Sequence, residues 1–261
     1  MNSPAAEAFL PTLEAYEKIY RGQPVFEGVP ASAGIPWEVG QAQPRLRELE
    51  ALGVVSGDVL DIGCGLGDNA IFLASRGHTV TGLDGSPTAI EGARIRAARA
   101  GAAVRFDVAD ATKLAGYDAA FDTIIDSALY HCLDEDGQLA YATALHRAAR
   151  PGARWFMYCF SAGNVNGVIA PMPGITRENL HGTLGRARWR IDFLGATTYL
   201  GNIAGFTGSF GKLPPELLAQ MPPERAEQLR RMGERMATIT PLIDGDKLHL
   251  PFTVVHATRL D

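Results

Sequence analysis

Short apolar runs alternate along residues 1–161 with segments in which apolar positions recur every three or four residues. The apolar runs predict buried strands, because they are bounded by glycine, proline or polar residues. The predicted strands cover residues 58–62, 79–84, 104–110, 121–127 and 153–161. The periodic segments predict helices over residues 68–76, 87–101 and 135–149. This alternation is typical of an α/β fold, in which helices cover both faces of a parallel sheet.

The segment before the first strand has a different pattern. An apolar and aromatic stripe predicts a helix over residues 4–20, and leucine spacing predicts a second helix at 45–52. Between them, residues 21–44 are rich in glycine and proline and predict an extended loop that carries Trp37.

After residue 161 the regular alternation ends. A loop at 162–175 and a short helix at 176–184 precede a β-patterned run at 188–200. A second such run, at 249–260, follows an insertion, residues 201–248. The insertion contains a predicted helix at 223–237, and its aromatic and methionine residues argue against disorder.

Composition narrows the class of protein. The chain has 261 residues, 46% hydrophobic and 20% charged, with a formal net charge of −5. This balance and the lack of a basic stripe argue against nucleic-acid binding. Three cysteines, widely spaced in apolar stretches, predict neither a disulfide framework nor a metal site. The N-terminus does not resemble a signal peptide, no apolar run is long enough to cross a membrane, and we expect a cytoplasmic protein.

Candidate chemistry begins at VLDIGCGLGDN, residues 59–69, which combines a strand, a glycine-rich turn and the start of a helix. Gly63, Gly65 and Gly67 follow the pattern GxGxG, which permits a flat ligand to lie close to the backbone. The dinucleotide pattern GxGxxG fails, because Asp68 occupies its last position. Asp61 and Asp68 flank the turn and would attract a cationic group rather than a pyrophosphate.

Two further aspartates end the next predicted strands. Asp84 can accept hydrogen bonds from a ribose diol. Asp110 can take the exocyclic amine of adenine, and the backbone of Ala111 can meet a ring nitrogen. Each aspartate alone is equally explained as a helix N-cap, but together with the glycine turn they predict a nucleoside site.

These segments resemble the class I S-adenosylmethionine-dependent methyltransferases. The resemblance covers about residues 55–161, in LDIGCGLGDNAIFLASRGHTVTGLDGSPTAI, VRFDVADAT, FDTIIDSALYHCL and RPGARWFMYCFS. The segment IPWEVGQAQP, residues 35–44, is similar to thiopurine S-methyltransferase-like enzymes and to bacterial heterocyclic toxin methyltransferases. The resemblance implies a Rossmann-like fold with a seven-stranded, mostly parallel sheet and helices on both faces. It also implies a single domain over residues 1–261. The cofactor core would span 45–200 and 249–261, with a lid at 1–44 and a substrate cap at 201–248.

The resemblance also implies a cofactor, S-adenosylmethionine, and its product S-adenosylhomocysteine. Asp61 and the three turn glycines would hold the methionine part, Asp84 the ribose, and Asp110 and Ala111 the adenine. Trp37 would pack over the cofactor or close its entrance, and the less favoured alternative is an ordinary core anchor. The full set of predicted cofactor-binding residues is Trp37, Asp61, Gly63, Gly65, Gly67, Asp84, Gly85, Ser86, Asp110, Ala111, Asp126 and Ser127.

The acceptor side is predicted from position. His131 lies just beyond the fourth strand and is our candidate for a general base, although a structural histidine fits the same position. Aromatic residues suit a flat apolar acceptor. The predicted substrate-binding residues are Tyr16, Tyr20, Tyr130, Phe160, Phe206 and Phe210.

We therefore expect a small-molecule methyltransferase that modifies a hydroxyl or ring nitrogen of an aromatic or heterocyclic acceptor, without a metal. Two alternatives are a C-methyltransferase of natural-product biosynthesis and a nucleoside-binding module without catalysis. The intact turn and the three aspartates argue against the second alternative. No nucleic-acid or membrane partner is expected, and either a monomer or a homodimer is compatible with the sequence.

Overall fold

A seven-stranded sheet forms the centre of the molecule. The computed structural model describes residues 11–25, 30–31, 34–162, 174–205, 218–219, 221–243 and 245–261. The strands are β1 (Asp58–Ile62), β2 (Thr79–Asp84), β3 (Val104–Val108), β4 (Phe121–Ser127), β5 (Ala149–Phe160), β6 (Trp189–Asn202) and β7 (Lys247–Arg259). Their order is β3-β2-β1-β4-β5-β7-β6.

The sheet is mostly parallel, as the sequence predicts. Strands β1 to β5 pair in parallel, whereas β7 is antiparallel to both β5 and β6. From β1 the chain adds β2 and β3 on one side of the sheet, and then β4 and β5 on the other. The strand order therefore reverses between β1 and β4. Ligands of such sheets bind at the carboxyl ends of the strands beside this reversal.

Seven α-helices accompany the strands in the part of the chain that the structure describes. They are α1 (Leu13–Tyr20), α2 (Pro44–Ala51), α3 (Asp68–Ser75), α4 (Pro87–Ala100), α5 (Glu135–Ala148), α6 (Arg177–Arg186) and α7 (Pro223–Ile239). Each lies within a few residues of a predicted helix, and the side chains of Thr12, Ser86, Asp134 and Thr176 cap α1, α4, α5 and α6 as acceptors of a backbone N–H.

The two faces of the sheet have separate cores. Residues from α2, α3, α4 and α7 pack on one face, and residues from α5 and α6 pack on the other. Strand β5 shows the alternation: Phe156 and Phe160 lie in the first core, whereas Trp155 and Cys159 lie in the second. Helices on both faces are therefore confirmed.

Residues 34–44 lie beside the end of β6, and we call them the strap. Gln43 is buried, and its side-chain amide donates to the Leu200 carbonyl at 2.9 Å and accepts from the Leu200 N–H at 3.1 Å. The Asn202 N–H donates to the Pro36 carbonyl at 2.7 Å. These hydrogen bonds attach the strap to the edge strand β6 on either side of Trp37.

No helix in the described residues is both long and apolar enough to span a membrane.

Candidate cofactor and acceptor site

The glycine turn after β1 has the backbone geometry that its sequence predicts. Gly63, Gly65 and Gly67 have φ values of +70°, +53° and +86°, in the left-handed region that side chains with a Cβ disfavour. A Cβ on Gly65 would lie 2.9 Å from the Tyr20 hydroxyl oxygen, and one on Gly67 would lie 2.8 Å from Phe106. The turn thus requires glycine both for its backbone conformation and for the close approach of its neighbours, and it leads directly into the N-terminus of α3.

Asp61, just before this turn, is a buried carboxylate without a hydrogen-bond partner among the described residues. Both of its oxygens are inaccessible to solvent, and burial raises its pKa to about 7. The backbone N–H of Ala70, which is close to the carboxylate but outside hydrogen-bonding geometry, opposes this rise in pKa. Leaving a buried carboxylate unpaired is costly, so native proteins supply such a group with a cation or a donor. The position fits the α-amino or sulfonium cation of the predicted cofactor.

Asp84, at the end of β2, reaches back to the same turn. Its Oδ2 accepts the Gly65 N–H at 2.9 Å and its Oδ1 accepts the Ser86 N–H at 2.8 Å. Burial raises its pKa, and the two N–H groups oppose that rise. A carboxylate oxygen accepts more than one hydrogen bond, so Asp84 retains the capacity to bind a diol beside the turn.

Asp110, at the predicted adenine position, is held within its own turn. Its Oδ1 accepts the Thr112 N–H at 2.9 Å, and its Oδ2 pairs with Lys113 at 2.8 Å. The Lys113 hydrogen bond lowers the pKa of Asp110. In this structure Asp110 therefore stabilises its own turn. To bind the amine of adenine, its carboxylate would have to exchange the exposed Lys113 for that amine.

Ser86, which the sequence predicts both as a helix N-cap and as a cofactor residue, caps a helix in the structure. Its Oγ accepts the Ala89 N–H at 3.0 Å as the N-cap of α4 and donates to Glu17 on α1. A Cβ on Gly85 beside it would lie 2.8 Å from the end of the exposed Leu13 side chain, which would have to shift.

Helix α1 lies over the glycine turn through two aromatic side chains. Trp37 donates from Nε1 to the Tyr20 hydroxyl at 3.0 Å, and the Trp37 ring packs edge-on against both Tyr16 and Tyr20. Burial raises the pKa of both tyrosines. Trp37, predicted for the cofactor, and Tyr16 and Tyr20, predicted for the substrate, form one cluster at the turn.

Sequence reasoning missed the residue that holds α1 in place. The Glu17 carboxylate accepts from the hydroxyls of Ser86 and Thr88 at the start of α4, and it pairs with Arg21 at 2.8 Å. Burial alone would raise the pKa of Glu17, but these hydrogen bonds outweigh it and lower that pKa. We call this contact the Glu17 latch. The partners of Glu17 lie about 70 residues away in sequence. The one signal for this contact is the preference of a helix N-terminus, here that of α4, for a negative charge.

A second ionic contact holds the strap. Arg96 bridges Glu38 at 2.9 Å and Asp68 at 3.1 Å. Burial, together with the neighbouring Glu38, raises the pKa of Asp68 to about 7. Asp68 therefore contributes to the position of Trp37 rather than to a free anionic surface.

Asp126 and Ser127 end β4 on the other side of the turn. Asp126 accepts the Leu129 N–H at 2.8 Å and the Tyr141 hydroxyl at 3.0 Å, and burial raises its pKa to about 7. Both oxygens are thus engaged, and they shape the loop that places Leu129 against Gly63. The Ser127 hydroxyl lies 3.2 Å from the hydroxyl of Tyr199.

His131 lies within a row of aromatic rings. Its ring centroid is 4.3 Å from that of Phe160, Phe160 is 4.7 Å from Phe252, and Phe252 stacks on Tyr199 at 4.4 Å. We call these four residues the aromatic row. Phe160, one of the predicted acceptor residues, belongs to it, whereas Tyr199 and Phe252 were missed because they come from strands that pair only in the folded chain.

Tyr130, predicted for the acceptor, packs in the core on the opposite face of the sheet from Phe160. Its side chain is completely buried, donates to Asn179 at 3.0 Å and packs near Tyr141 and Trp155. Ala128, with φ +80°, turns the chain after β4, and Tyr130 enters the core on the α5 side. Phe206 and Phe210 lie outside the described residues.

Comparison with known proteins identifies the family. Residues 59–152 match the family model described as a methyltransferase domain. The chain is 38% identical over 195 residues to the 2-heptyl-1-hydroxyquinolin-4(1H)-one methyltransferase of Mycobacteroides abscessus, a match covering 74% of this chain and 84% of that protein. The chain belongs to the methyltransferase family. The orphaned Asp61 and the glycine turn fit S-adenosylmethionine, which is the cofactor of this methyltransferase.

Solved structures support the same fold. One, from a study of the conversion of a disulfide bond into a thioacetal group during echinomycin biosynthesis, is 31% identical and has a TM-score of 0.70. That match covers 95% of this methyltransferase and 93% of the other chain. A methyltransferase from Methanosarcina mazei, 18% identical with a TM-score of 0.54, covers 84% and 99% and shows the fold alone.

Proposed function

We propose that this methyltransferase transfers the methyl group of S-adenosylmethionine to a hydroxyl or ring nitrogen of a small aromatic heterocycle. The observation that carries the proposal is the aromatic row, His131, Phe160, Phe252 and Tyr199, beside the carboxyl end of β4. Flat rings with a few hydroxyl and imidazole groups suit a flat acceptor that carries one polar substituent.

The relative from Mycobacteroides abscessus supports a more specific acceptor. We infer that 2-alkyl-1-hydroxyquinolin-4-ones are the first candidates for this chain. A sulfur acceptor is the second candidate, because the echinomycin-related structure matches nearly the whole chain. The methyltransferase fold alone does not distinguish the two.

The described residues would divide the work as follows. Asp61 and the glycine turn would bind the methionine part, Asp84 the ribose, and Asp110 and Ala111 the adenine. The strap and α1 form the described part of the lid over residues 1–44. In the cap over 201–248, Leu229 and Met236 of α7 pack in the core, and the cap would enclose the acceptor.

Bound S-adenosylmethionine supplies a methyl group on a sulfonium, which is already a good leaving group. The protein therefore accelerates the reaction chiefly by alignment and by exclusion of water. The aromatic row would fix the plane of the acceptor, and Ser127 and Tyr199 would orient its polar edge. The lid would keep water out of the site.

A labelled-methyl transfer screen tests the proposal. The panel contains 2-heptyl-1-hydroxyquinolin-4-one, simple phenols, N-heterocycles, thiols and a disulfide-bridged cyclic peptide. We expect the hydroxyquinolone or another hydroxylated heterocycle to be methylated with the highest kcat/KM. Preferential transfer to sulfur would replace the first candidate by the second, and transfer to carbon would support the C-methyltransferase alternative.

The Glu17 latch provides a test of the lid. Glu17→Ala should weaken S-adenosylmethionine binding about fivefold or more, because a charged hydrogen-bonded contact contributes about 1–2 kcal/mol when partly exposed. Isothermal titration calorimetry measures the Kd, and stopped-flow displacement measures the dissociation rate, which should rise. Glu14→Ala is the matched control, since Glu14 lies on the same helix, is exposed and pairs only with Lys18 in the described structure. Equal affinities in the two variants would show that α1 does not retain the cofactor.

We also propose that the protein acts in the cytoplasm on a small molecule and not on a nucleic acid. Cys64, Cys132 and Cys159 are free thiols, which suits a reducing compartment. The net charge of −5 opposes binding to a polyanion.

A further inference from the structure

The buried histidine at the carboxyl edge of β4 has a defined proton arrangement. Phe160 donates its backbone N–H to His131 Nδ1 at 3.1 Å. A nitrogen that accepts a hydrogen bond carries no proton, so the neutral ring carries its proton on Nε2. Nε2 has no hydrogen-bond partner among the described residues, and it is the one polar atom of the ring that remains available.

The surroundings keep this ring neutral. His131 is buried between the rings of Phe160 and Phe252, and burial lowers its pKa to about 3. Asp126, the carboxylate at the adjoining end of β4, gives its two oxygens to Leu129 and Tyr141. The other titratable groups near this turn are uncharged at neutral pH: the Cys132 thiol and the Tyr130, Tyr16 and Tyr199 phenols.

We propose that His131 is a neutral hydrogen-bond donor that positions an oxygen of the acceptor through Nε2–H, and that it is not the general base. The proposal rests on the proposed function, because it concerns the acceptor of that reaction. To accept a proton from the acceptor at Nε2, the ring would first have to move its own proton to Nδ1, which would break the bond from the Phe160 N–H. It would then become a buried cation. Donation to a negatively charged oxygen carries neither cost.

The acceptor class follows from this role. A donor at this position favours an acceptor whose hydroxyl ionises in solution and enters the site as an oxyanion, as an acidic hydroxyl on an aromatic N-heterocycle does. Its proton goes to solvent before transfer. In the transfer, the oxygen lone pair forms the new carbon–oxygen bond, the carbon–sulfur bond breaks, and its electron pair stays on sulfur. Anion and sulfonium thus give two neutral products, and no protein base is needed.

Three variants distinguish a donor from a base. His131→Phe removes the donor and should lower kcat/KM for an ionisable hydroxyl acceptor by about tenfold to a hundredfold. His131→Gln keeps an N–H donor but cannot act as a base, and it should recover most of the lost rate. His256→Phe is the control, because His256 lies further along β7 and packs on Phe156. If His131→Gln is as inactive as His131→Phe while it binds S-adenosylhomocysteine normally, the donor role is overturned.

The pH profile provides a second kinetic readout. If His131 is a donor, the acidic limb of kcat/KM follows the pKa of the acceptor hydroxyl, moves with a more acidic acceptor and persists in His131→Gln. If it is a base, the limb stays in place between acceptors and disappears in that variant. The second pattern would overturn the proposal.

A measurement without turnover separates this proposal from the proposed function. Nitrogen-15 NMR of the imidazole in the wild-type protein distinguishes a protonated nitrogen from a bare one. We expect bare Nδ1 and protonated Nε2 from about pH 5 to about pH 9. A cationic ring or a proton on Nδ1 would overturn the donor role, whatever acceptors are methylated. Failure of every acceptor in the screen, with the expected tautomer present, would instead count against the proposed function.

Discussion

Replacing Asp61 by asparagine should stabilise the free protein and weaken its affinity for S-adenosylmethionine. Asp61 is completely buried without a partner among the described residues, and burial raises its pKa to about 7. Above that pH the folded protein contains a desolvated charge that the unfolded chain keeps in water. Asparagine fills the same space without the charge, so the unliganded protein should be more stable. Cofactor binding, in contrast, loses its interaction with the carboxylate.

The sign follows from proton linkage. A carboxyl whose folded pKa is raised binds its proton more tightly when folded, so the free energy of unfolding falls as the pH rises from about 4 to about 7. The penalty is at most about 4 kcal/mol at pH 8. An unpaired asparagine amide costs about 1–3 kcal/mol. The net gain should therefore raise Tm by about 5 °C at pH 8. Near pH 4 the charge penalty is nearly absent while the amide cost remains, so Asp61→Asn should there be the less stable form.

The binding arm of the prediction has the opposite sign. Loss of the carboxylate should raise the Kd for S-adenosylmethionine at least about tenfold, since an opposing charge in a buried site contributes more than about 1.4 kcal/mol. Wild-type affinity should also fall below about pH 7, because binding a cation requires the ionised form of Asp61. Calorimetry and thermal unfolding measure both arms. Asp118→Asn is the control, because Asp118 is 70% exposed and pairs with Arg147. A lower Tm at pH 8 or an unchanged Kd for Asp61→Asn contradicts the prediction.

The parts of the fold that the sequence predicts well are those with a local cause. The Ser86–Pro87 start and the Gly101 end of α4 are determined within a few residues, and the structure has the helix at Pro87–Ala100. The strands of the parallel core are continuous apolar runs, so their bounds differ from the prediction by only a few residues. The glycine turn is likewise local, and its positive φ values follow from its composition.

What the sequence does not predict arises between distant segments. Gln43 binds Leu200 across 157 positions, and Glu17 binds Ser86 across 69. No periodicity within a window encodes such pairs. The placement of Tyr130 in the second core has another cause: the chain turns after β4 at Ala128, a single residue with positive φ. An alanine there gives no indication of that conformation.

Replacing Gly65 by alanine should abolish tight cofactor binding, whereas the same change at Gly101 should not. Both glycines have positive φ, +53° and +65°, so each alanine carries a backbone cost of about 1–2 kcal/mol and lowers Tm similarly. A Cβ on Gly101 meets nothing within 4 Å. A Cβ on Gly65 lies 2.9 Å from the Tyr20 hydroxyl, which itself accepts the Trp37 hydrogen bond.

Because the two alanine variants carry a similar backbone cost, the difference between them measures the contribution of the turn to cofactor binding. We expect the Kd of Gly65→Ala for S-adenosylmethionine to rise more than about tenfold by calorimetry, with that of Gly101→Ala within about twofold of wild type. The double variant Tyr20→Phe/Gly65→Ala then separates two causes, because it removes the hydroxyl that the new Cβ would meet. Binding restored in the double variant assigns the loss to the lid. If the double variant still does not bind, the loss of affinity is due to the space that the cofactor itself occupies over Gly65. Equal Kd values for Gly65→Ala and Gly101→Ala would show that the turn does not belong to the cofactor site.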